Sequence, residues 1–368
     1  MKNTQPVCWR GGHLLAVIWM LAAAVCVAAE PRTYQFGRGG IQAFTVDIAT
    51  ERAFVVTPDS VRVFKDSAEV GRIQVNPCPA NAVAIMQPRG QEERLYVACR
   101  DSPVIAVIGY TGVVYGWVGT PAVIYDLAIV GARIFGTGIG IGIGQAMVLE
   151  LNATPLANPP GEPTTENTIR SWGPFVMGLG DGPHLTVAGS TLLYSAAPGA
   201  VARIDLEANT AQAIGADPGA QQIVRDVSTS PNSARIVMQY GSAGVETVGL
   251  WDLAGTGAGA IATVAERIAG AAGANGVYTV DPFGAVAFYG DVTLAKGGVP
   301  VADRQVYQVP PADVSLPASL RVLPTSRALL MATRESIMFF PSGEVTPPPA
   351  FCHECLPRRG GWRAILAQ

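Results

Sequence analysis

Histidine is nearly missing from this chain. There are three in 368 residues, and only His184 and His353 lie beyond the first thirty positions. A three-histidine zinc site in the mature chain is thereby excluded, and a histidine-based triad would have two bases to choose from. Lysine is as scarce, with Lys65 and Lys296 the only ones after Lys2. Charged residues make up 14% of the sequence and no basic cluster stands out, which argues against a nucleic-acid partner. No Gly-x-Ser-x-Gly elbow occurs. The glycine run 136–144 has no Gly-Lys-Ser/Thr after it and no helix signal, so it is neither a P-loop nor a dinucleotide fingerprint. Alternating Gly and Ile instead gives a strand or hairpin with one bare face, against which something flat can press. No catalytic set, metal site or cofactor is assigned from these residues.

The N-terminus has the layout of an export signal. Lys2 and Arg10 precede an apolar run, 14–27, which ends in Val27-Ala28-Ala29 before Glu30. Small residues at the last and third-last positions suit signal peptidase. The run is shorter than the roughly 20 residues that a spanning helix needs. Residues 1–29 are therefore read as a signal peptide, and the mature chain as periplasmic or secreted with no membrane span. Losing Lys2 and Arg10 takes the formal charge from −3 to −5. Four cysteines remain: Cys78, Cys99, Cys352 and Cys355. An even number in an oxidising compartment predicts disulfides, with three possible connectivities. A Cys78–Cys99 bridge would staple the first two repeat units.

Repetition dominates residues 30–345. One unit recurs about every 40 to 60 residues: a turn, an apolar strand, a gap, a second apolar strand and a polar turn. Its strand pairs fall at 52–56 and 61–64, 94–98 and 104–108, 132–135 and 146–149, 191–194 and 200–204, 234–238 and 248–251, 285–289 and 305–309, and 327–331 and 336–340. Short, nearly continuous Val, Ile, Leu and Ala runs suit small antiparallel sheets that are covered on both faces. Stacking such sheets radially closes a ring and protects its edges. The chain is expected to be all-β, a single β-propeller of four-stranded antiparallel blades, with Thr33-Tyr34-Gln35-Phe36 supplying the strand that clasps the last blade.

Two units carry a family likeness. Arg94-Leu95-Tyr96-Val97-Ala98 with Val104-Ile105-Ala106-Val107-Ile108, and Thr191-Leu192-Leu193-Tyr194 with 200–209, resemble the YVTN-type repeat of bacterial propellers. The resemblance implies a propeller, usually of seven blades. Longer insertions in the third, fifth and sixth copies leave a range of six to eight. It brings no catalytic residue with it, because unrelated functions share the repeat.

Two functional readings follow. In the first, the chain is a non-enzymatic scaffold that binds a protein or a small ligand across the channel mouth. In the alternative it is an enzyme, lactonase-like or akin to a quinoprotein dehydrogenase subunit, with its site at that mouth. Asp47, Asp126, Asp181 and Asp226, where the chain enters its blades, would then be the first acids to inspect. His184, in the turn-like 180–184 segment beside Asp181, is a further candidate against the plain reading of an exposed turn histidine. Beyond the ring, 346–368 form a Pro-rich spacer and a tail with Cys352-His353-Glu354-Cys355. Leu356 follows where c-type haem attachment needs a histidine. The tail is read as a structural disulfide, with His353 a candidate in a metal or redox role.

Overall fold

The computed structural model describes residues 31–340, apart from 89, 141–144, 176–182, 190–191, 198–199, 215–222, 231–234, 243–244, 253–261, 274, 297–298, 311–317, 324 and 327. The expected signal segment 1–29, Asp181, and the tail with Cys352, His353 and Cys355 lie outside the described residues. Among the described residues no helix is long and apolar enough to cross a membrane.

The architecture is an all-β propeller of four-stranded antiparallel sheets. Six blades are each folded from four consecutive strands, and their inner strands are Ala43–Asp47, Ala80–Met86, Ala122–Val130, His184–Ala188, Ile223–Thr229 and Ala269–Ala272. The expectation of seven such blades is corrected: the remaining sheet is a composite of the two chain ends. Ser319–Val322, Leu329–Ala332 and Ser336–Phe340 are completed by the N-terminal strand Arg32–Gln35, in register Arg32 to Phe339 and Tyr34 to Ile337. The sixth repeat is corrected as well. Its 285–289 and 305–309 strands are the third and outer strands of blade six, and the second is Gly276–Val280. An insertion between them, carrying the helical turn Asp291–Leu294, gave that copy its length.

The core lies between blades rather than within one. Arg94–Cys99 and Val104–Gly109 are buried at almost every position, because each sheet is covered on both faces. Tyr96, Ile105, Leu149 and Ile134 pack blade two on blade three. Phe54, Val63, Leu95 and Ile108 pack blade one on blade two. Phe64 is fully buried where blade one meets the closing sheet, with ring centroids 4.8 Å from Tyr34 and 5.7 Å from Phe339. One side chain thus joins the first blade, the N-terminal strand and the last strand.

Two long-range devices hold the early blades. Cys78 and Cys99 form a disulfide, with Cα atoms 5.6 Å apart. Cys78 lies in the connection entering blade two and Cys99 ends that blade's second strand. The bridge therefore pins the connection onto blade two, rather than joining two sheets directly. The same connection is tied to blade one by Asn76 Nδ2, which donates to Gln42 Oε1 at 2.9 Å and to the Thr57 carbonyl at 2.8 Å. The Pro- and Thr-rich 152–167 loop runs on the surface and also covers the outer edge of blade two. Trp117 and Leu156 exchange backbone hydrogen bonds of 2.9 and 2.7 Å, and Asn167 Oδ1 accepts from Gly119 N–H. Backbone that would otherwise be an open sheet edge is paired in this way.

Two stability outcomes are expected. Phe64→Ala should lower the unfolding free energy by about 3–5 kcal/mol in urea titrations, the range for a buried aromatic. A cost under about 1 kcal/mol would show that the clasp does not need this ring. Replacing both Cys78 and Cys99 by Ser should cost about 3 kcal/mol through the freed loop, read by the same titration.

Candidate functional site

The inner strands of the blades and of the closing sheet line one central cavity of about 480 Å³. Its walls mix polar and apolar surface in similar amounts, with Val83, Ala84, Leu127, Ala128, Val187 and Val227 supplying apolar side chains. Asp126, Arg321 and Ser228 supply polar groups to the same surface.

The two acids are placed by the same local device. In blade three the register between inner and second strands slips between Ile124 and Asp126, and in blade five between Val224 and Asp226. A bulge of one residue, Tyr125 or Arg225, re-aims the side chain that follows it. Each aspartate then caps its own strand. Asp126 Oδ1 accepts from Leu127 N–H at 2.8 Å, and Asp226 Oδ1 from Val227 N–H at 2.9 Å. The glycine run explains how blade three accommodates its bulge. A Cβ at Gly138 would sit 2.6 Å from the Val123 carbonyl oxygen, and one at Gly136 would meet the Ile124 side chain at 3.2 Å. What presses on the bare face is the blade's own inner strand. Positions 141–144 of the run lie outside the described residues.

Each charged group on the cavity wall is backed by a group of opposite sign. Arg321 grips Asp226 through both terminal nitrogens, at 2.6 and 2.8 Å, across 95 residues of sequence. It also donates to the Leu320 carbonyl and lies 5.7 Å from the centre of the Phe44 ring. Burial opposes the guanidinium charge, but Asp226, and Asp126 beyond it, outweigh this and raise the Arg321 pKa. Asp126 in turn has His184 Nδ1 at 3.7 Å and accepts Leu185 N–H at 2.9 Å. His184 Nε2 is buried and has no hydrogen-bond partner among the described residues.

The other sequence candidates separate clearly. His184 is the first residue of an inner strand and is half-buried, not an exposed turn residue. Asp126 lines the cavity, whereas Asp226 lies behind Arg321, which does line it. Asp47 ends its inner strand and also lines the cavity, where it is engaged by Ala49 N–H, Thr50 Oγ1 and Arg52. No group of three or more His, Cys, Asp or Glu side chains is placed to hold a metal among the described residues. Arg321 and Ser228 escaped the sequence reading. A usable signal existed for the first: Arg321 is the one charged residue in the strand Ser319–Val322.

No family model and no curated protein sequence matches the chain. Solved structures do. Virginiamycin B lyase from Staphylococcus aureus is similar over 84% of this chain and 99% of its own, at 10% identity and a TM-score of 0.55. A catalytically inactive histidine-to-alanine form of that lyase with quinupristin gives 11% identity and 0.54. A chain of the mitotic checkpoint complex matches at 12% identity and 0.58, over 92% of this chain and 99% of its own. At such identities the likeness is one of fold. The β-propeller expected from the repeats is thereby supported, whereas the YVTN-type family is not identified.

Burial disfavours protonation of His184, but the attraction of Asp126, with a contribution from Asp226, exceeds it despite Arg321, and the pKa lies above the ordinary 6.5. Folding therefore favours the protonated ring. Its contribution to stability is complete below about pH 6.5 and is lost as the pH rises through the folded value. Titration of the His184 ring protons by NMR should give a midpoint above 6.5. Asp126→Asn should bring it down, because burial then acts with less opposition. An unchanged midpoint in that variant would remove Asp126 as the cause.

Proposed function

We propose that the chain is an exported, non-enzymatic β-propeller scaffold that binds a small ligand in its central channel. The observation that carries this reading is the pair of opposite-charge contacts, Arg321 with Asp226 and His184 with Asp126, at the wall of a cavity of about 480 Å³. Cavities of this size that combine apolar side chains with a few converging polar groups are the usual form of small-molecule sites. Export is supported by the 14–27 run after Lys2 and Arg10, and by the disulfide between Cys78 and Cys99, a bond that persists in oxidising compartments.

A second reading, an enzyme, has one observation in its favour. An imidazole with Nδ1 toward a carboxylate and an unbonded Nε2 is arranged as a general base is. The similar lyase is catalytically inactive when one of its histidines is replaced by alanine. The scaffold reading is preferred because the second carboxylate here is committed to Arg321 rather than to a reacting group.

A fragment screen by thermal shift tests the scaffold reading. Fragments that raise the Tm of the wild-type chain should fail to raise that of Thr186→Trp, which fills the channel from the inner strand of blade four. Thr45→Trp, on blade one, serves if the first variant does not fold. Equal shifts in wild type and the blocked variant would place binding elsewhere and end the proposal.

A further inference from the structure

We infer that the channel site takes an uncharged amphipathic molecule, an apolar body with one polar end that both donates and accepts hydrogen bonds, as a carboxamide does. The inference rests on the channel-binding reading and deepens it.

A guanidinium has five N–H donors. Arg321 commits three of them, two through Nη1 to Asp226 and the Leu320 carbonyl and one through Nη2 to Asp226, which leaves two for an incoming acceptor. Asp126 takes one backbone N–H on each carboxylate oxygen, Leu127 on Oδ1 and Leu185 on Oδ2. Oδ2 also faces His184 Nδ1 at 3.7 Å, so Oδ1 is the oxygen that keeps a lone pair for an incoming donor. Ser228 is 6% exposed, lines the cavity, and has a buried Oγ with no hydrogen-bond partner among the described residues. A buried hydroxyl without a partner is costly, and a χ1 turn toward a polar group bound in the cavity would satisfy it.

Charge decides between a neutral ligand and an ion. Arg321 is neutralised by Asp226, so a carboxylate arriving there would meet a second carboxylate 2.6 to 2.8 Å behind the guanidinium. Asp126 is backed by His184 and two backbone N–H groups, so an ammonium arriving there would meet a site already compensated. Either ion would also lose its hydration among Val83, Ala84, Leu127 and Val187. An amide N–H to Asp126 and an amide carbonyl to Arg321 or Ser228 carries no such penalty.

Three near-isosteric probes test the inference on the full mature chain: cyclohexanecarboxamide, cyclohexanecarboxylate and cyclohexylammonium. Dissociation constants would be measured by NMR titration on wild type and on Thr186→Trp. The expected result is binding of the carboxamide to wild type alone, at least about tenfold tighter than either ion. Ser228→Ala should weaken it severalfold. Tighter binding of the carboxylate or the ammonium to wild type, absent in Thr186→Trp, would overturn the ligand class and leave the channel reading standing. Failure of all three probes, with other fragments still dependent on an open channel, would do the same. Failure of every fragment to distinguish wild type from Thr186→Trp would remove both.

Discussion

One backbone pairing underlies the rest of this molecule, that of Arg32–Gln35 with Ser336–Phe340. It joins residues some three hundred positions apart and turns a row of sheets into a ring. Ser319–Val322 packs on blade six, which packs on Ile223–Thr229 of blade five, and the closed ring holds this stack so that Arg321 meets Asp226. Closing so long a loop costs entropy only logarithmically in its length. The offset comes from apolar contact, and Phe64 places that contact where the two ends meet, with Tyr34 and Phe339 against its ring. The clasp is thus a mixed device: backbone hydrogen bonds give it register, and a buried aromatic gives it strength.

Given a closed ring, the site follows from two irregularities in otherwise plain strands. A regular inner strand alternates its side chains between the two neighbouring blades, and both directions are packed with Val, Ile and Leu. A carboxylate on such a face would be buried against apolar carbon. One extra residue before Asp126 and before Asp226 breaks the alternation, and Asp126 meets the channel while Asp226 meets Arg321 on its wall. In blade three the neighbouring strand makes room by having no side chain at positions 136 and 138. The glycine run and the acid are two halves of one arrangement, although only the first is conspicuous in the sequence.

This explains why the fold was more legible than the site. The second and third strands of most blades are buried on both faces, and continuous apolar runs such as 94–98 and 104–108 announce them. Inner strands carry more polar residues, and Ala269–Ala272 reads Ala-Gly-Ala-Ala, which carries no strand signal at all. That is why the sixth unit was read one strand out of phase. The composite sheet shows a related limit: residues 33–36 suggested a clasp, but local pattern could not show that six blades are self-contained while one sheet is shared between the ends. For the site the obstacle is distance along the chain. Asp126, His184, Asp226 and Arg321 come from four different sheets, and no spacing rule connects them. His184 looked like a turn residue because glycines and a proline precede it, and those residues end just where the inner strand begins.

The paired charges are hard to justify by stability alone. Taking two ions out of water costs several kcal/mol per ion, and their attraction often does no more than offset that, so apolar residues of similar volume commonly serve a core as well. The channel wall already has such residues on every side. Asp226 is the more deeply buried acid, and its partner Arg321 keeps part of its guanidinium open to the cavity. Asp126 is the member of its own pair that lines the cavity, with backbone N–H groups behind it. In both cases the buried side of the arrangement fixes orientation while the open side faces the space. Groups held so that their remaining hydrogen-bonding capacity points into a cavity are preorganised for a ligand rather than spent on the fold. The same pairing that makes the site rigid also leaves it nearly neutral, and this favours a polar, uncharged occupant over an ion of either sign.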